Sequence, residues 1–242
     1  MGSPFFGEFM GTMVLCFMGN GNVANVVLKG SKAEGSGWIV ICTGWAMAVM
    51  LGVFTAIACG SADAHINPAV TLAFALRSGD FSKLGSYVLA QLLGATVGAI
   101  LAWLAYLPHW EVTNEPASKL AVFSTGPAIR NTVGNLITET LGTFMLVLAI
   151  GAIVSRAVAP NGIAPGLTPF LVAGAVWGIG LCLGGPTGFA VNPARDLGPR
   201  IAHAILPIPG KGDSDWGYSW IPVVGGLLGG AIAGLFIQAV NF

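Results

Sequence analysis

Charge is what this chain has least of. Only 8% of its 242 residues are charged, ten acidic against ten basic. Soluble domains carry about 25%, so this surface cannot face water on all sides. The even balance gives no reason to expect nucleic acid or an acidic partner. Cysteine is scarce. Cys16, Cys42, Cys59 and Cys182 lie in apolar surroundings without metal-ligand spacing and read as small buried hydrophobes. No Asn-x-Ser/Thr acceptor, phosphate-binding loop or cofactor motif occurs, so neither a cofactor nor a metal is expected. The opening MGSPFFGEF has no basic region and no small-residue cleavage site, so no signal peptide is read there. What fills the chain instead is apolar: 55% hydrophobic residues, a mean hydropathy of +0.80 and 36 glycines. Glycine is frequent where membrane helices pack closely. This is the composition of a multi-pass membrane protein in contact with lipid.

Six long apolar stretches are read at roughly 5–28, 38–59, 84–107, 133–155, 167–187 and 219–240, each near the ~20 residues that cross a ~30 Å hydrocarbon core. Only Glu8 and Glu139 interrupt them with charge. Two shorter segments, 68–77 and 193–208, each begin at the proline of an Asn-Pro-Ala: Asn67-Pro68-Ala69 and Asn192-Pro193-Ala194. Asparagine is a good N-cap and proline suits the first helical position, so each motif starts a helix too short to cross. The order long, long, short, long occurs twice. Glu8 in GEFMGT and Glu139 in TETLGT open the two copies, 131 residues apart, and the two asparagines are 125 apart.

Three crossings per copy is odd, so the second copy lies inverted relative to the first. The expected fold is an all-α membrane protein of six transmembrane helices plus two re-entrant half-helices. It forms a single channel domain over 1–242, with repeats at about 1–107 and 133–242. Residues 108–132, polar and with three prolines, are expected to be an exposed connecting loop.

Inverted half-helices bring two helix N-termini together near the midplane, each carrying about half a positive charge. Non-helical backbone at that depth survives only when buried in protein or lining a wet cavity. Such a centre is hostile to cations and protonated water. Asn67 and Asn192 would cap with their carbonyl oxygens and keep their NH₂ groups free to donate to a passing oxygen.

HINPAVT, NPARDLGPR and the paired Glu-x-x-Gly-Thr openings resemble the major intrinsic proteins, the aquaporin and glycerol-facilitator family. The resemblance covers essentially the whole chain. It implies a right-handed bundle of six helices and two half-helices, assembled as a homotetramer with one pore per subunit. It points to the glycerol-conducting branch. Phe189 and Arg195 flank Asn192 at the filter positions, Asp196 follows where strict water channels generally lack an aspartate, and Gly180 stands where water channels carry histidine. Trp45 is the candidate fourth filter member, although the family spacing to Asn67 is about two residues shorter.

The chemistry of that set suits a triol. Arg195 offers forked donors to neighbouring hydroxyls, Trp45 and Phe189 an apolar corner to the carbons, and Gly180 leaves width. The resemblance gives Glu8 and Glu139 a structural role, accepting hydrogen bonds from the re-entrant loops. Asp196 is expected to brace the loop around Arg195. His65 faces a vestibule or is a packed, hydrogen-bonded histidine. Asp63 departs from the family's Ser-Gly-Ala-His and stands near one pore mouth, solvated or in touch with solutes.

The expected permeants are glycerol, other small polyols and water, and the alternative within the class is a mainly water-selective channel. A secondary transporter needs ionisable groups that change partners, and only Glu8 and Glu139 are available. An enzyme would have only Ser61 and His65 to work with. The family places both termini in the cytoplasm, and missing tails suggest a bacterial inner membrane. The loop cations oppose that orientation: Arg77, Lys83 and Arg156 would be inside, against Lys29, Lys32, Lys119, Arg130 and Lys211 outside.

Overall fold

The computed structural model describes residues 2–241, and ten helices order them: α1 (Pro4–Val27), α2 (Trp38–Ala58), α3 (Pro68–Ser78), α4 (Leu84–Ala105), α5 (Leu107–Val112), α6 (Pro116–Phe123), α7 (Thr132–Val154), α8 (Thr168–Leu183), α9 (Pro193–Ile205) and α10 (Trp216–Val240). Side-chain caps fix four of the starts. Ser3 Oγ accepts from Phe6 N–H ahead of α1, and Asn131 Oδ1 from Gly134 N–H ahead of α7. Asn67 Oδ1 accepts from Ala69 N–H, and Asn192 Oδ1 from both Ala194 and Arg195 N–H. At 1.5 Å per residue, α3 and α9 reach only about 16 and 20 Å. Helices α2, α4, α7 and α10 are each long and apolar enough to cross a membrane.

The copies run α1 to α4 and α7 to α10. Within each, the first span packs on the second and the last: α1 on α2 and α4, α7 on α8 and α10. Gly94 and Gly229 hold matching places in those seams. A Cβ on either would lie 2.3 Å from the carbonyl oxygen of the residue after the buried glutamate, Phe9 or Thr140. The half-helices cross over: α3 packs on α10, and α9 on α4. Gly230 and Gly234 let α3 approach, since a Cβ there would sit 2.5 Å from Ala69 O and 2.4 Å from Ala73 O. The outward faces remain apolar, with Leu89, Leu93, Leu141, Leu228 and Ile232 exposed.

Three expectations need correction. The fifth span, read as 167–187, stops at Leu183, because Gly184-Gly185-Pro186 breaks the helix: proline pushes its predecessor out of the helical region. Residues 108–132 are not simply an exposed loop, since they hold most of α5 and all of α6. Trp110, Val122 and Phe123 are buried there, against Leu28, Ala202 and Leu206. A polar average hid their apolar side. Of the cysteines, Cys16 and Cys42 are buried, but Cys59 is half-buried and Cys182 exposed, because an apolar sequence context here includes faces turned outward.

Candidate pore

The two re-entrant loops arrive at the centre in strained conformations. Ala64 and Ile66 before Asn67, and Phe189 and Val191 before Asn192, all have φ between 39° and 45°. For β-branched Ile66 and Val191 this left-handed backbone is an outlier, costing on the order of 1–3 kcal/mol each. The buried glutamates hold it. Glu8 Oε1 accepts from Ser61 Oγ (2.7 Å) and His65 N–H (2.8 Å), and Oε2 from Ile66 N–H (2.7 Å) and Gln91 Nε2 (2.8 Å). Glu139 Oε1 accepts from Thr187 Oγ1 (2.6 Å) and Ala190 N–H (3.1 Å), and Oε2 from Val191 N–H (3.0 Å). Each carboxylate therefore grips the peptide next to the asparagine.

The asparagines also tie the copies together. Asn67 Nδ2 donates to Val191 O (2.8 Å), and Asn192 Nδ2 to Ile66 O (2.9 Å). This corrects the expectation that both NH₂ groups stand free: one hydrogen of each is taken by the opposite loop, and one remains. A cavity of about 360 Å³ runs past both asparagines. Val53, Leu146, Ile150, Val172 and Val176 give it an apolar wall, and Trp45, Phe189 and Arg195 line it with them. The Arg195 guanidinium carbon lies 4.0 Å from the Trp45 ring centroid.

The chain as a whole is similar to known proteins. The sequence profile of the major intrinsic protein family matches residues 3–237. The chain belongs to that family. It is 55% identical over 234 residues to the probable glycerol uptake facilitator protein of Thermotoga maritima, covering 95% of this chain and 96% of that one. Identity to the glycerol uptake facilitator protein of Bacillus subtilis is 49% over 239 residues, covering 98% and 84%. The X-ray structure of the aquaglyceroporin from Plasmodium falciparum superposes with a TM-score of 0.83 at 29% identity, over 98% of this chain and 95% of that chain.

Within this major intrinsic protein, Gly180 does not itself widen the cavity, as the sequence suggested. Its missing side chain leaves room for the Phe189 ring, whose Cζ would lie 2.9 Å from a Cβ at Gly180. Asp196 braces more than a loop. It accepts from the Thr125 N–H and hydroxyl (2.7 and 2.6 Å) and from Arg200 Nε and Nη2 (2.9 and 2.8 Å). Fully buried Arg200 also donates to the carbonyls of Thr125, Ser214 and Asp215, which engages all five of its N–H groups.

His65 is both of the things left open. Its ring lines the cavity, stacks on Phe74, meets Tyr87 edge-on and has Nδ1 3.2 Å from Thr71 Oγ1. Ser61 makes no catalytic pair with it, because the Ser61 hydroxyl is taken by Glu8 and by Ala64 N–H. Asp63 at the mouth is bonded to Lys83 Nζ (2.6 Å) and Tyr87 Oη (2.7 Å).

Sequence reasoning missed Gln91, Thr125, Thr187 and Arg200. Arg200 alone carried a usable signal, lying four residues after Asp196 on one helix.

Proposed function

We propose that this chain is a passive channel for glycerol and related small uncharged solutes, with water passing as well. The observation that carries this is the lumen at Trp45, Phe189 and Arg195, where two aromatic side chains and one guanidinium face a single space. Glycerol has a hydroxylated edge and a C–H edge. Its carbons would slide along the rings while Arg195, whose guanidinium has no protein acceptor among the described residues, donates to its hydroxyls. The remaining N–H of Asn67 and of Asn192 would take over at the centre. Cations meet the guanidinium and two positive helix ends, and are turned back.

Glu8 and Glu139 support passive movement: their oxygens are already occupied by loop donors, so neither is a group that changes partners. Trp45, Gly180, Phe189 and Arg195 are the proposed filter set, with Gly180 acting through the Phe189 ring. We further read the protein as a homotetramer in a bacterial membrane with both termini cytoplasmic. Of the five cations that this orientation places opposite the termini, two are built into the fold and two make exposed ion pairs. Lys119 donates to Pro209 O, Lys211 to the carbonyls of His203, Ala204 and Leu206, and Lys29 and Arg130 pair with Glu34 and Asp215.

Stopped-flow light scattering on proteoliposomes tests the proposal. Glycerol challenge should give fast reswelling, lost in Gly180→His with Phe189→His. Rapid shrinkage in an impermeant sugar with glycerol uptake no faster than in empty vesicles would make the protein a water channel instead.

A further inference from the structure

Phe189 lines the lumen from a strained backbone, with φ at 39°, so its ring position must be imposed by what stands behind it. Four groups stand there. Gly180 and Gly184 of the α8 end lie close to the ring: added Cβ atoms would come within 2.9 Å of Phe189 Cζ and 2.7 Å of Cδ1. Cys42 Sγ backs the same niche, 3.0 Å from a Cβ at Gly180. The fourth is Trp38, the first residue of α2. Its ring meets Phe189 edge-to-face, with centroids 5.7 Å apart and planes at 80°. Its indole Nε1–H donates to Gly180 O at 3.0 Å, joining α2 of the first copy to α8 of the second.

We infer that Trp38 is a positioning residue for solute size: it holds the Phe189 ring forward into the lumen and so sets the width that a permeant must pass. This rests on the reading of Phe189 as a pore ring. Trp38 lies outside the lumen and touches no permeant. Gly180 and Gly184 leave room beside the ring on the side that Trp38 closes: a Cβ at Gly184 would lie 2.7 Å from Phe189 Cδ1 and 2.8 Å from Trp38 Cζ2. Without the indole, the ring can retreat toward the α2–α8 seam and the passage widens. With bulk added at Gly180 the ring is driven the opposite way. Two changes on the same side of the ring thus have opposite effects on size selection, which a general loss of packing would not produce.

The test compares permeabilities to water, glycerol, erythritol and xylitol in proteoliposomes for the native chain, Trp38→Ala, Gly180→Ala and Phe189→Ala. The native ratio of erythritol to glycerol permeability is the readout, because a merely structural defect lowers all permeabilities together. Trp38→Ala should raise that ratio about three- to tenfold, the size that loss of one aromatic edge contact converts to. Gly180→Ala should lower it, and Phe189→Ala should raise it at least as far as Trp38→Ala. A raised ratio in Phe189→Ala with a native ratio in Trp38→Ala overturns the positioning role and leaves the filter intact. A native ratio in Phe189→Ala overturns the filter reading and the positioning role with it. Trp38 is partly exposed, which favours folded variants. If Trp38→Ala does not give a monodisperse protein, Trp38→Leu decides instead, since it fills volume without a ring edge or an N–H donor and should show the same rise.

Discussion

At the residue scale, the two glutamates are alike in sequence and unequal in duty. Glu8 accepts two bonds on each oxygen, whereas Glu139 accepts two on one and one on the other. Glutamine presents an NH₂ to one side. Glu8→Gln therefore faces two donors whichever way it turns: one must reverse to accept (the Ser61 hydroxyl or the Gln91 amide) while a backbone N–H is stranded. Glu139→Gln can face the Val191 N–H alone. At about 1–3 kcal/mol for each unsatisfied buried group, Glu8→Gln should be the more damaging of the two. Thermal melting in detergent gives the order directly, and equal losses would show that the loop geometry does not depend on the count. Asp63 offers a pH test. Burial alone would lift its carboxyl, but hydrogen bonds from Lys83 and Tyr87 outweigh that and hold its pKa below the ordinary aspartate value, while Asp63 raises that of Lys83. A lowered acid contributes stability that is present above about pH 3.9 and lost as pH falls through the folded value; a raised lysine loses its share only above about pH 10.4. The melting difference between the native chain and Asp63→Asn should therefore stay constant from about pH 5 to 9 and close below about pH 4. Closure near neutrality would assign the effect to His65.

At the element scale, glycine decides which helices can touch. Gly230 lies under a half-helix carbonyl, so Gly230→Val should push α3 off α10 and remove glycerol permeability along with stability. Gly178, with nothing within 4 Å of its added Cβ, is the control: Gly178→Ala should be neutral or gain about 0.5–1 kcal/mol from helix propensity. Comparable damage from both would mean that close approach is not what Gly230 provides. Most helices were legible from the sequence, because apolar runs of membrane length and an Asn-Pro start leave little choice. Gly226, Gly230 and Gly234 recur every four residues in the last span, a spacing that itself suits close helix contact. What was not legible is whose helix they touch, since partner choice between copies leaves no local mark. The strain at Ile66 and Val191 was equally hidden: nothing in a β-branched residue announces a left-handed backbone, and only the carboxylate that compensates for it appears in the pattern. Short α5 and α6 escaped for a simpler reason, being amphipathic over too few turns to show a period.

At the scale of the whole molecule, the inverted repeat puts residues 28–37 and 155–167 on opposite faces, the latter on the face of the termini. With the native cysteines removed, a cysteine at Gly35 should react with a membrane-impermeant thiol reagent in intact cells, and one at Gly162 only after lysis. The reverse pattern would overturn the proposed orientation and side with the loop charges. The crossed seating of the half-helices has a consequence for how the protein is made. α9 emerges when its seat, α4, already exists, whereas α3 must wait for α10, which begins roughly 140 residues later. At about 5–20 residues per second, that is a delay of about 7–28 s in which the half-helix has its lesser contact, on α4, but not its main seat. Biogenesis is therefore asymmetric although the product is not: a ribosome stalled ahead of Trp216 leaves α3 resting on α4 alone, and its main seat arrives only with the last helix.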